Sequence, residues 1–227
     1  MNKLLLPFII SIASISGCVS QGDRAKQQDI INQTIPTCAS EKQCNAGWAA
    51  AREWVNQNCG MKIQHYSDSY METYNTLGNS TNTACQVTKS PLPNGFSSIN
   101  IRVSCSNFIR CVPDQYESVI AFNKYVGNYI KQFSPKMIGV MWGMSDKSGN
   151  LVQSSFESVG LYINTLTPQG IAEKGGLKEK DIVTAIDGKK ITIVSDYISA
   201  MESHHAGDKA TFTVIRNSKE MNVSLEI

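Results

Sequence analysis

Between residues 38 and 133 the spacing of apolar positions changes from helical to alternating and back. Ser40-Glu41-Lys42-Gln43 has the Ser-x-x-Gln form of a capping box. Cys44, Trp48, Ala51, Val55 and Cys59 then recur at helical spacing on one face. Gly60 stands where such a helix would stop. Met61-Lys62-Ile63-Gln64-His65-Tyr66 and Tyr70-Met71-Glu72-Thr73-Tyr74 alternate, and Leu77-Gly78-Asn79-Ser80-Thr81-Asn82 reads as a loop. Cys85-Gln86-Val87-Thr88 makes another short strand, Pro91-Leu92-Pro93-Asn94-Gly95 turns the chain, and Ile99-Asn100-Ile101-Arg102-Val103 alternates cleanly. Asp114-Gln115-Tyr116-Glu117 opens a second helix with Val119, Phe122, Val126, Ile130 and Phe133 inward, and Ser134-Pro135 ends it. The pattern predicts a helix, an antiparallel meander of about four strands and a closing helix.

From residue 134 onward the pattern changes character. Met137-Ile138-Gly139-Val140 begins a strand, and Ser145-Asp146-Lys147-Ser148-Gly149-Asn150 is polar and too long for a tight turn. Gly170 and Ala172 keep a short helix small where it packs, and Gly175-Gly176 ends it. Ile182-Val183-Thr184-Ala185-Ile186 is a buried strand followed by the turn Asp187-Gly188. Val194, Tyr197 and Met201 line one helical face, and two strands close the chain around Asn217-Ser218. The whole is predicted as α+β, with four segments: residues 1–17, 18–37, 38–133 and 134–227.

The N-terminus reads as an address. A lysine at position 3, an apolar run from Leu4 to Ile12 broken by Pro7 and Ser11, and Ala13-Ser14-Ile15-Ser16-Gly17 are the three parts of a secretory signal. The apolar run falls short of the roughly 20 residues needed to span a bilayer. Ile15-Ser16-Gly17-Cys18 resembles a bacterial lipobox. That resemblance implies cleavage before Cys18, a diacylglycerol on its thiol and an acyl (palmitate-type) chain on its amine. Two or three chains exceed the single chain that gives only marginal binding. Val19 is not Asp, which by the same resemblance favours the outer membrane, with the protein facing the periplasm. The mostly polar residues 19–37 read as a tether, with a short helix expected around 29–32.

Composition then excludes and sharpens. Apolar residues are 41% and charged residues 18% of 227, with a net charge of +2. A disordered chain and a dedicated nucleic-acid binder are both disfavoured. The seven cysteines split into Cys18 and six others, Cys38, Cys44, Cys59, Cys85, Cys105 and Cys111. An even set in an exported chain predicts three disulfides rather than zinc, since no Cys-x-x-Cys occurs. A continuous helix would hold Cys44 and Cys59 about 22 Å apart, beyond the roughly 4.4–6.8 Å that a disulfide allows. Cys38–Cys44 and Cys105–Cys111 share the same gap and can each close a small loop, which leaves Cys59–Cys85.

The order of elements after residue 134 resembles a bacterial, circularly permuted PDZ domain, a β-barrel-like fold, as found in periplasmic serine proteases of the high-temperature-requirement family. Gly160, Ile163, Pro168, Ala172, Gly176, Leu177, Asp181, Val183 and Asp187-Gly188 match the family pattern. Lys180 stands where the family has Gly, and Gly170 replaces a small hydroxyl residue. The resemblance implies that an extended peptide, commonly a free C-terminus, adds as a strand in a groove. Carried over, the N–H groups of Ile138, Gly139 and Val140 would receive the carboxylate, and Met141 and Trp142 would pair with the peptide. Tyr197, Ile198 and Met201 would form the opposite wall. A groove filled by the chain's own loop around residues 145–158 is the alternative.

No motif names an enzyme. His65, Ser67 and Asp68 do not converge as a catalytic set, and His204-His205 reads as a solvated loop pair. The segment before the PDZ resemblance is too short for a chymotrypsin-like domain, and no Gly-x-Ser-x-Gly occurs. No cofactor, metal or nucleic acid is implied, and the oligomeric state is left open. The expectation is a lipid-anchored adaptor or scaffold that captures peptides. The second expectation is a structural component of an envelope or secretion assembly.

Overall fold

The computed structural model describes residues 21–227. The expected signal segment, Cys18 and Val19 lie outside the described residues. Two hydrophobic cores organise the chain, one on each side of residue 134.

The first core is covered by three helices and one sheet. In chain order these are α1 (Gln21–Thr34), β1 (Thr37–Cys38), α2 (Glu41–Asn58), β2 (Ile63–Tyr66), β3 (Tyr70–Thr73), β4 (Ala84–Pro91), β5 (Ser97–Ser104) and α3 (Gln115–Lys131). The antiparallel sheet runs β1-β5-β4-β3-β2, so the expected meander is present and a two-residue strand is added at its far edge. Ser40 caps α2 by accepting from Gln43 N–H at 3.1 Å, and the Gln43 side chain reaches back to Ala39 N–H at 3.0 Å. That reciprocal closure is why α2 starts where it does. Trp54 meets Phe122 edge-on at 5.3 Å between α2 and α3, and both are buried with Val55, Met71, Val87 and Val126.

Three disulfides staple this unit: Cys38–Cys44, Cys59–Cys85 and Cys105–Cys111. Cys38–Cys44 ties β1 to the first turn of α2, and Cys59–Cys85 ties the end of α2 to β4 across a sequence separation of 26, so both ends of the helix are linked to the sheet.

The expected tether is instead largely the 14-residue helix α1. None of its residues is fully buried, which is why the apolar pattern does not show it. It is held by polar contacts. Arg24 forks onto Asp114 at 2.9 and 2.7 Å and lies over the Tyr116 ring, and the Asn123 amide donates to the Ile31 carbonyl at 3.2 Å.

The second core is wrapped by β6 (Val140–Ser145), β7 (Leu151–Val152), β8 (Gly160–Leu166), α4 (Ile171–Lys174), β9 (Ile182–Ile186), β10 (Lys189–Lys190), α5 (Val194–Met201), β11 (Lys209–Arg216) and β12 (Lys219–Glu226). The main antiparallel path is β12-β11-β9-β8-β6-β7, and β10 pairs with β9. The polar stretch after β6 is tighter than its length suggests. The Asp146 carboxylate accepts from Ser148 and Asn150 N–H at 2.8 and 2.9 Å, folding the segment into a turn that delivers β7. Asp181 is buried and bidentate with Arg216 at 2.7 and 2.6 Å, and it also accepts Lys178 N–H at 2.9 Å. The pair fastens the β8–β9 crossover to β11.

Candidate functional site

The site is built where β6 runs beside α5. Just before β6, Gly139 has φ +80°, a backbone region that glycine enters without steric cost. Its carbonyl accepts Thr167 N–H at 2.8 Å and that of Ile138 accepts Ala172 N–H at 3.0 Å, so the loop is pinned through its acceptors. The N–H groups of Ile138 and Gly139 donate to no acceptor among the described residues. Unpaired backbone donors in a turned loop form a receptor for an anion.

Beyond that loop, β8 pairs with β6 on one side from Val140 to Ser145. On the other side β7 pairs only with Met144 and Ser145. The remaining edge, Val140 to Gly143, has no strand neighbour among the described residues and is a template for an added strand.

The opposite wall is α5. Its start is fixed by Asp196, whose carboxylate accepts from Thr192 N–H at 2.8 Å, Thr192 Oγ1 at 2.7 Å and Ile193 N–H at 3.2 Å. Trp142 of β6 packs on Tyr197 with ring centroids 5.0 Å apart. Tyr197 is only 7% exposed, and burial pushes its phenol pKa up. Ile138 is buried beneath the loop, and Val140 is half-buried against the same core. Two expectations shift. Met201 is 1% exposed and belongs to the core rather than to the groove wall, because it lies one turn beyond Tyr197 on the inward side of α5. Met141 stands exposed while Trp142 packs inward, and the β6–β8 register shifts between these two residues.

The sequence pattern missed the third wall. The turn between β4 and β5 reaches across to α5. A side chain at Gly95, which has φ +81°, would come within 2.3 Å of Ile193 Cδ1 and 2.5 Å of Ser195 Oγ. Phe96 and Asn94 close a cavity of about 360 Å³ with Trp142, Gly143, Met144 and Val194. Phe96 also borders a second cavity, about 630 Å³, between Ile198 and α3 of the first unit. At the other end of α5, Ser40 Oγ donates to the Glu202 carboxylate. The first unit thus touches both ends of the groove helix. The loop 145–158, the filler in the alternative reading, contributes Leu151, Val152 and Gln153 to the smaller cavity and leaves Phe156 bare. The only advance signal for the third wall was the Pro- and Gly-rich turn flanked by an isolated phenylalanine.

His65 is exposed and pairs with Glu72 at 2.8 Å, so it is a strand-surface residue. His204 differs from its expected solvated state. It is largely buried against Asp187, 2.9 Å away, while His205 stays in solvent. Asp187 also accepts Thr211 N–H at 2.8 Å, so the pair ties the β9–β10 turn to the loop after α5. Among the described residues no group of three or more His, Cys, Asp or Glu side chains is placed to hold a metal ion.

Residues 137–227 match the family model of the PDZ domain, and this unit is a PDZ domain. It is similar to those of HtrA-type proteases. The chain is 35% identical over 68 residues to the serine protease Do-like HtrA of Lactobacillus helveticus, covering 30% of this chain and 16% of that protein. It is 29% identical over 68 residues to the periplasmic serine endoprotease DegP of Escherichia coli K12, covering 30% and 14%. Over 113 residues it is 29% identical to the zinc metalloprotease RasP of Geobacillus kaustophilus, covering 44% and 27%. The chain therefore spans a small fraction of the length of these relatives. Among solved structures, the HtrA3 PDZ domain bound to a phage-derived ligand matches with a TM-score of 0.33 at 19% identity, covering 40% of this chain and 82% of that one. The HtrA-type protease AlgW with a decapeptide matches at 0.36 and 15%, covering 69% and 54%.

Proposed function

We propose that this protein is a lipid-anchored adaptor of the bacterial cell envelope that captures protein C-termini or extended peptides between β6 and α5. One observation carries the reading: unpaired N–H groups at Ile138 and Gly139 stand at the head of an open β6 edge. A terminal carboxylate on those donors directs the peptide antiparallel along β6, its side chains alternating between the groove and solvent. The apolar walls, Trp142, Val194 and Ile198, suit apolar C-terminal residues. Upstream peptide residues pass Trp142 to Met144 and meet Phe96 of the first unit. The role is binding rather than catalysis. The lipobox resemblance at Cys18 supports anchoring in the outer membrane, facing the periplasm.

The test is a titration of the chain starting at Val19 with peptides that have a free C-terminal carboxylate and with the same peptides amidated. Binding that weakens at least about tenfold on amidation supports the reading, since charge-assisted bonds are the strong ones. Equal affinity for both forms sinks it.

A second reading, a structural component of an envelope assembly, is favoured by the contacts of the first unit at both ends of α5. In-cell crosslinking separates the two. One constant partner supports assembly, and many partners sharing C-terminal chemistry support an adaptor.

A further inference from the structure

The disulfide Cys105–Cys111 closes a short loop whose tip is apolar and bare. Phe108 is 83% exposed and Ile109 76%, and Leu77, 86% exposed, stands on the neighbouring loop. Polar groups fasten the two loops together. The Asn107 amide donates to the Asn79 carbonyl at 3.1 Å, Ser80 N–H to Ser106 Oγ at 3.2 Å, and Val112 N–H to the Thr81 carbonyl at 2.9 Å. The patch is therefore held in place rather than left to collapse onto a core. Exposed, contiguous apolar side chains on a braced loop mark an interaction surface.

The charge pattern says what kind. Residues 74–83 and 104–112 contain no carboxylate and a single charge, Arg110, beside the apolar pair. Arg110 makes no ion pair among the described residues. Apolar side chains flanked by a free cation suit the boundary between phospholipid headgroups and acyl chains.

The first turn of α1 is tied close to the same loop. Arg24, in the first turn of α1, grips Asp114 at 2.9 and 2.7 Å, and Asp114 follows the loop-closing Cys111 almost directly in sequence. Cys18 precedes Gln21 by three residues, a reach of at most about 11 Å when fully extended. On the lipid-anchor reading, an acyl chain on Cys18 is therefore tied within that reach of the start of α1.

We propose that the 77–79 and 105–111 loops form a membrane-contact surface, with Phe108, Ile109 and Leu77 in the bilayer boundary and Arg110 at the phosphates. The inference rests on the lipid-anchor reading. Anchor and patch together fix two points on the bilayer, so α1 docked on α3 sets how the first unit stands on the membrane.

The test places Phe108→Trp in the acylated chain on vesicles of phosphatidylethanolamine and phosphatidylglycerol. Trp48 and Trp54 are buried, and the wild-type spectrum is subtracted. The added emission is expected to be blue-shifted and quenched about twofold or more by lipids brominated near the headgroup. Water-like, unquenched emission overturns the proposal. A companion variant, Phe108→Ser with Ile109→Ser, changes only exposed side chains. It is expected to lower vesicle partition of the chain starting at Val19 by about tenfold, and unchanged partition again overturns the proposal. The anchor is read separately, from the mass of the envelope-purified chain. If Cys18 carries no lipid, the same quenching is read on nickel-chelating vesicles holding a His tag placed before Val19, so either reading can fail alone. Protection of the 105–111 loop by a protein in the absence of vesicles would assign the patch to a protein partner and also overturn it.

Discussion

Trp142 on β6 and Tyr197 on α5 touch across the base of the groove, with ring centroids 5.0 Å apart and planes tilted by 49°. The contact sets the spacing of the two walls from below. The Tyr197 hydroxyl has no hydrogen-bond partner among the described residues, so the ring, not the hydroxyl, does the spacing. Tyr197→Phe is expected to keep peptide affinity within about twofold, whereas Tyr197→Ala is expected to cost about 3–5 kcal/mol of stability. Denaturant melts and peptide titrations of both variants check this.

The same burial makes a pH prediction. The folded state holds the Tyr197 phenol above its ordinary value near 10. The protonated phenol therefore contributes fully below about pH 10 and its contribution is lost as pH rises through the folded pKa. Wild-type stability is expected to fall more steeply than that of Tyr197→Phe above about pH 10. Identical pH profiles for the two proteins would count against the assignment.

Phe96 lies beside Trp142, Met144 and Val194, away from the Gly139 loop. Phe96→Ala should weaken peptides of six or more residues about twofold to twelvefold, the range for losing one aromatic contact. Three-residue peptides with the same C-terminus should bind as before. Equal losses for both lengths would mean that the hairpin acts through the fold instead.

Lys180 occupies a position with φ +72°, where a side chain crowds the backbone. Its N–H donates to the Ile163 carbonyl at 2.9 Å, so the turn is held despite the strain. Lys180→Gly removes that strain and adds unfolded-state freedom, for a net gain of about 0.5–1 kcal/mol. A higher melting temperature with unchanged peptide binding is the expected result.

Asp114 caps α3 through Tyr116 N–H at 2.9 Å while holding Arg24. The Arg24 guanidinium, foremost, keeps its carboxyl below the usual range. That stabilisation is present above the unfolded carboxyl pKa near 3.9 and is lost as pH falls through the lower folded value. Asp114→Ala is expected to cost about 1–3 kcal/mol and to loosen α1, visible as faster amide exchange across residues 24–34. Retained protection there would show that the remaining contacts, Asn123 on Ile31 and Arg24 over Tyr116, hold α1 without the ion pair.

Much of this was legible from local pattern. The Ser40 and Asp114 caps, the helical apolar rows of α2 and α3, the Asn217-Ser218 turn and the PDZ-like run from Gly160 to Gly188 are written in neighbouring residues. The disulfide pairs read from loop spacing and helix length coincide with those in the structure. Helix α1 was hidden because its docking uses an ion pair and amides rather than an apolar stripe. Met201 was misplaced because periodicity identifies an inward face without saying whether it meets core or groove.

The sequence by itself therefore determined most of the elements from α2 onward, the caps of α2 and α3, the six-cysteine framework and the identity of the second unit, since each depends on residues close along the chain. Tertiary structure decided that Gly95 and Phe96 stand at the groove, that Ser40 meets Glu202, and that Arg24 of α1 grips Asp114. Those contacts join residues far apart in sequence. No local period encodes such partners, because burial and hydrogen bonding select them only once both cores have formed.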